Sequence, residues 1–256
     1  MRIDFIGNSH LGAMAPMLTR NRGEREVAHY ISRTYGTTPA AVMGHDGGVE
    51  LPWIRLEESS RYGHVVDLRR SDLVVLVGLR FSLVQMVSLW KHFHPVDVEA
   101  DYASPALGPD LWDAYVDAAF DATDMMRVAR RLPADRRART VAVPQPAPAR
   151  WAGRREGSAY QIYRRLVGTG DWGRVLSDFR RQMDRLEASG IEVFQQPEAT
   201  LAAPGFTRDE LAKGDPQDTR EDSFYSRGDF YHMNNDFADL VAPELYAWLD
   251  ARIEEN

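Results

Sequence analysis

The chain contains no cysteine in 256 residues. That excludes a disulfide scaffold, a thiolate zinc site, an iron–sulfur cluster and a cysteine nucleophile. Lysine is nearly absent as well: Lys91 and Lys213 stand against 29 arginines. The imbalance has two readings. Guanidinium forks suit carboxylates and phosphates, but a GC-rich coding sequence has the same effect, and the scatter of the arginines among acids fits the second. Positive charge is in deficit, with 31 basic against 38 acidic residues and a formal net charge of −7. This argues against a chain that binds nucleic acid or an anionic membrane over its whole surface. Long apolar runs are missing too. The run Leu73 to Leu79 is far below the roughly 20 residues that span a bilayer. The first ten residues, MRIDFIGNSH, reach acidic and polar positions too early for a signal peptide, so a cytoplasmic location is expected.

What remains is 44% hydrophobic and 27% charged, enough to bury one large core, and residues 1–256 are read as one domain. Ile3, Phe5 and Ile6 form a short buried run, Gly7-Asn8-Ser9 turns, and Leu11, Met14, Met17 and Leu18 recur at helical spacing. Glu26 to Ser32 alternates as a strand. DLVVLVG, Asp72 to Gly78, is the strongest strand, apolar on both faces as in a parallel sheet. Trp112 to Leu132 reads as one amphipathic helix, Thr140 to Val143 as a strand, Val175 to Ser189 as a helix closed by Gly190, and Ile191 to Phe194 as the next strand. Phe237 to Ile253 is a terminal helix in which Pro243 marks a kink or a new start. The alternation predicts an α/β fold with a mostly parallel sheet, whose ligands gather at the carboxyl ends of the strands. Residues about 145–172 and 201–228 interrupt the pattern and read as long excursions over the sheet edge.

Two segments carry chemistry. In IGNSHLGAM, residues 6 to 14, Ser9 follows a buried strand and opens a helix, so its hydroxyl stands at the end of the sheet and its N–H near a positive helix terminus. The plainer reading makes Ser9 a helix N-cap. In GDFYHMN, residues 228 to 234, Asp229 and His232 are spaced to share one side of a turn, where a carboxylate orients an imidazole and supports the imidazolium of general-base catalysis. The plainer reading is an Asp cap beside a surface histidine.

Taken together, a strand-end Gly-x-Ser near the start and an Asp-x-x-His before the last helix resemble the SGNH (GDSL-type) hydrolases, over the whole layout of the chain. The resemblance implies a flavodoxin-like three-layer α/β/α sandwich of about five strands. It implies Ser9 as nucleophile, His232 as general base and Asp229 as its partner, with no metal or organic cofactor. Asn8 stands where the family usually has Asp. The family's oxyanion hole adds a glycine N–H after the second strand and an asparagine side chain after the third. Gly36 is the first choice for the glycine, with Gly44, Gly47 and Gly48 as alternatives. The third strand ends Gly78-Leu79-Arg80, with Arg80 where asparagine is expected. Either Arg80 donates in its place, or the hole is degraded at a cost on the order of 10² to 10³ in turnover.

The implied activity is hydrolysis of an oxygen ester, of a small acyl group on a carbohydrate or similar alcohol. The alternatives are acyl transfer by the same triad and an inert binding protein that keeps the fold. His10 contacts substrate or faces solvent and neighbouring loops. His92 and His94 form an H-x-H pair without a third metal ligand, and His45-Asp46 is no stronger. GTGDWG, residues 168 to 173, matches the dinucleotide fingerprint but lacks a strand before it. Trp151, Tyr160, Tyr163 and Trp172, with Arg154, Arg155, Arg164 and Arg165, either line a sugar or anion site or pack inward.

Overall fold

The computed structural model describes residues 1–32, 42–43, 48–55, 64–98, 102–137, 139–214 and 228–255. One sheet of eight strands organises them. It is built from β1 (Arg2–Gly7), β2 (Glu26–Ser32), β3 (Val42–Met43), β4 (Gly48–Arg55), β5 (His64–Asp67), β6 (Leu73–Val77), β7 (Thr140–Val143) and β8 (Glu192–Val193). Five strands run parallel in the order β8-β7-β6-β1-β2. An antiparallel extension follows: β4 pairs with β2, and β3 and β5 pair with β4. The sequence reading placed no strand between residues 33 and 71.

The strands alternate between two apolar layers. Val74 and Leu76 of β6 enter one cluster, Val75 and Val77 the other, and this two-sided burial is why the run is continuously apolar. One face is covered by α1 (Ser9–Arg20) and by a long C-terminal helix, Asn235–Glu255, that supplies Phe237, Val241 and Leu245. The other is covered by α2 (Leu83–Leu89), α3 (Pro109–Asp121), α4 (Asp124–Arg131), α5 (Gln161–Thr169) and α6 (Trp172–Ala188). The C-terminal helix is α7. The fold is thus a flavodoxin-like three-layer sandwich. At the centre of β1 the fully buried Asp4 accepts from Arg2 Nε at 3.2 Å and from the Ser71 hydroxyl, so its charge is not left unpaired in a medium that would penalise it heavily.

Register brings the chemistry to one edge. Gly7 lies opposite Ile31 of β2 and Val77 of β6, and Val77 lies opposite Val143 of β7. The carboxyl ends of four strands are therefore level. Strand order reverses between β1 and β6, which opens the crevice where ligands of such sheets bind.

Several elements depart from the reading by sequence. The single helix expected over Trp112 to Leu132 is two. At the break, the Thr123 hydroxyl donates to Phe120 O at 2.6 Å and accepts from Met126 N at 3.4 Å, which ends one helix and caps the next. The helix expected from Val175 begins at Trp172, whose ring stacks on Phe206 at 4.2 Å. Gly190 follows α6 with φ of 85° and donates to Glu187 O, a conformation suited to glycine. α7 starts before Phe237 and continues through Pro243. GTGDWG is the junction of α5 and α6, with Gly170 left-handed at the end of one helix and Asp171 at the start of the other. No strand leads into it, and the nucleotide reading falls.

Candidate active site

The turn after β1 is arranged by Asn8. Its extended backbone makes it the N-cap of α1, and its Oδ1 accepts the His10 N–H at 3.1 Å. The capping role offered to Ser9 is therefore taken by its neighbour. Ser9 is the first helical residue, exposed, with its Oγ 2.8 Å from His232 Nε2. Its backbone N–H is among those that a helix cannot satisfy internally, and it lies at the positive end of the helix dipole.

His232 is positioned from the other side by Asp229. Its Nδ1 lies 2.9 and 3.0 Å from the two carboxylate oxygens, and its backbone N–H donates to Oδ1 at 3.0 Å. Asp229 is buried. Burial pushes its carboxyl up, but hydrogen bonds from the His232 ring and backbone N–H, with the Tyr231 N–H, outweigh it and hold the pKa below the ordinary value. A carboxylate fixed on Nδ1 leaves Nε2 as the atom that exchanges a proton with the serine.

Three supports hold this loop, and none was legible from the motif. Phe230 is buried among Trp151, Tyr160 and Tyr163, with ring centroids 5.1 to 6.0 Å away, and its carbonyl accepts from Ala149 N at 2.7 Å. The aromatics of the 145–172 excursion thus pack inward against the Asp-x-x-His loop and line no open sugar site. Arg155 lies over the Trp151 and Tyr160 rings, and Arg154 pairs with Asp209. Next, Lys213 N donates to His232 O and Gly214 N to Asp229 O. A Cβ on Gly214 would fall 2.4 Å from Asp229 O, so only glycine allows this approach. Finally, Asn234 Oδ1 accepts from Phe237 N at 3.1 Å, which caps α7 as it leaves the loop.

His10 is buried, away from solvent. Its ring stacks on His232 with centroids 4.8 Å apart and planes 22° apart. Burial, then the neighbouring His232, pushes its pKa down to about 3, and Asp229 opposes this. Burial thus favours its neutral form where it packs against the His232 ring.

Gly78 follows β6, just before Leu79 and Arg80. Its N–H donates to Val143 O at 2.8 Å, so it is occupied in the sheet. Its role is steric: φ is 73°, and a Cβ there would lie 2.7 Å from Asn8 Oδ1. Leu79 and Arg80 follow with φ of 44° and 64°, and Phe81 N donates back to Gly78 O at 2.8 Å. This is a turn with both central residues left-handed, usually an Asn-Gly position. Leu79 is held there by burial and by accepting Met125 N. Strain of this kind, about 1–2 kcal/mol per residue, tends to gather at functional sites. Arg80 is exposed beside the start of α4, where its charge opposes the rise that burial imposes on the Asp124 carboxyl.

Gly36, Gly44, Gly47 and His45-Asp46 lie outside the described residues, and Gly48 begins β4. His94 Nδ1 bonds Ser104 Oγ at 3.2 Å while His92 is exposed. Among the described residues no group of three His, Asp or Glu is placed to hold a metal, and no helix is long and apolar enough to cross a membrane. Comparison with protein-family models, with curated proteins and with solved structures finds no match to this chain.

Proposed function

We propose that the chain is a serine hydrolase of the SGNH type that cleaves an oxygen ester through an acyl-enzyme. The observation that carries this reading is the continuous bridge from Ser9 Oγ to His232 Nε2 at 2.8 Å and from His232 Nδ1 to Asp229 at 2.9 Å. Ser9 Oγ attacks the ester carbonyl carbon as His232 Nε2 takes its proton. The C=O electrons move onto oxygen, and the tetrahedral intermediate collapses as His232 protonates the departing alcohol. Water attacks the acyl-enzyme by the same route and releases the carboxylic acid, with the proton returned to Ser9. The oxyanion falls to the Ser9 N–H at the positive terminus of α1. An alcohol with carbohydrate character remains part of the proposal, although the excursion aromatics that favoured a sugar are buried.

The inert-binder alternative calls for a Ser9 hydroxyl out of reach of His232 or a closed apolar pocket around it. An exposed Ser9 at 2.8 Å favours the enzyme. The test is steady-state cleavage of p-nitrophenyl esters with and without an added sugar acceptor. Release of free acid by the wild type and none by Ser9→Ala supports hydrolysis. Partition of the acyl group to the acceptor selects acyl transfer, and no turnover by a folded wild type removes both.

A further inference from the structure

A crevice of about 220 Å³ lies at the carboxyl ends of β6, β7 and β8, between α6 and α7. Its walls include Val77, Val143, Phe179, Met183, Phe237 and Val241. Close-packed interiors leave few voids larger than a water, and water in an apolar recess lacks the partners that would hold it. The polar residues of the lining do not change its character. Gln196 spends its side chain on Ala147 N, Thr200 and Thr207, while Arg180 and Gln195 are exposed at the rim.

Two sets of contacts bring the crevice close to the nucleophile. Gln145 lines it, and its Cγ lies 3.1 Å from where a Gly78 Cβ would stand, on the same atom that meets Asn8. Met14, Pro146 and Phe237 are shared between the crevice and a small gap beside His10, which stacks on His232. One layer of side chains therefore separates it from the Ser9–His232 pair, with Gln145 as the divider. The volume lies below the roughly 300–1,000 Å³ typical of drug-sized ligands, which suits one linear chain.

We propose that this crevice holds the acyl chain of the ester, making the substrates esters of unbranched medium-chain acids, with Gln145 at the threshold. The assignment rests on the esterase reading of Ser9. In this assignment the Gln145 side chain turns aside to let the acyl chain of an ester at Ser9 pass onto Val143 and Phe179. Each methylene buried in an apolar site is worth on the order of tenfold in discrimination, so kcat/KM rises with chain length until the recess is full.

The experiment measures kcat/KM of the full chain for p-nitrophenyl acetate, butyrate, hexanoate, octanoate and decanoate, in the wild type, Met183→Trp, Val241→Phe and Gln145→Ala. A fluorophosphonate probe reports in parallel whether Ser9 is intact in each. The expected result is a rise of at least about tenfold from acetate to the optimum, an octanoate-to-acetate ratio lowered about tenfold by either filling variant, and an optimum moved to longer chains by Gln145→Ala. Two filling variants on different helices guard against one failing to fold. A flat or falling profile with Ser9 labelled, or a ratio unmoved in labelled filling variants, overturns the crevice assignment and leaves the esterase standing. An unlabelled wild type that cleaves no ester overturns both.

Discussion

His10 lies stacked on His232, with ring centroids 4.8 Å apart, so one buried imidazole forms a wall against the other. Its pKa of about 3 against 6.5 when exposed makes it a source of acid instability. Between those values the unfolded chain binds a proton that the folded chain refuses, so stability falls as pH drops from about 6.5 towards 3. His232 and Asp229 are the titratable groups that act on it. Asp229, with its lowered pKa, adds a loss only below its ordinary carboxylate range. His10→Phe keeps a ring and removes the titration. Urea unfolding at pH 7 and pH 4.5 should show the wild type losing about 2 kcal/mol more than His10→Phe. Equal losses would show that His10 is not held neutral by burial.

Asp229 is the member of the triad whose effect separates orientation from chemistry. Asp229→Asn keeps the shape but lets the His232 ring take the wrong tautomer. We expect kcat to fall by roughly 10⁴, with KM little changed. Combined with Ser9→Ala, the loss should be no larger than that of Ser9→Ala alone, because the three groups act as a unit. Additive losses would argue against the bridge from Asp229 to Ser9.

Asn8 and Gly78 form a second testable pair. Asn8→Ala removes the cap of α1 and should cost about 1 kcal/mol, whereas Asn8→Asp keeps an acceptor for the His10 N–H and should restore most of it. Gly78→Ala combines a left-handed φ of 73° with a Cβ 2.7 Å from Asn8 Oδ1. It should cost more than the about 1 kcal/mol of backbone strain alone, because it displaces the turn that carries Ser9. Thermal unfolding and kcat measured together check this: a stable, fully active Gly78→Ala would contradict the contact.

Phe230 links the excursion to the triad. Phe230→Ala should cost about 3–5 kcal/mol as a buried aromatic. It should also lower kcat at temperatures where the fold persists, since Phe230 lies next to Asp229 and its carbonyl is pinned by Ala149. Phe230→Leu should recover stability more than activity. Activity that simply tracks the folded fraction would reduce Phe230 to a core residue.

How much of this was legible in the sequence depends on how local each cause is. β1 and β6 announce themselves because burial on both faces demands apolar runs. Ser9, Asp229 and His232 stand at readable strand and helix ends. The antiparallel extension built on β4 is not legible, because Pro52 interrupts GVELPWIR and its partners are the short segments Val42–Met43 and His64–Asp67. The break at Thr123 depends on a hydroxyl winning a backbone carbonyl. Whether Ser9 or Asn8 caps α1 is undecidable from composition, as both residue types cap well. Nothing in Leu79-Arg80 advertises a left-handed turn, because tertiary contacts on Leu79 impose it. The fit of Gly214 against Asp229, and the crevice gathered from several elements, exist only once distant segments meet.

The central claim is that Ser9 is an activated nucleophile. The most direct measurement is labelling of the full chain by a fluorophosphonate, with the modified residue located by peptide mass spectrometry, beside Ser9→Ala and His232→Ala. The account predicts one adduct, on Ser9, absent from Ser9→Ala and nearly absent from folded His232→Ala. An unlabelled wild type, or a label of equal rate in His232→Ala, would contradict it.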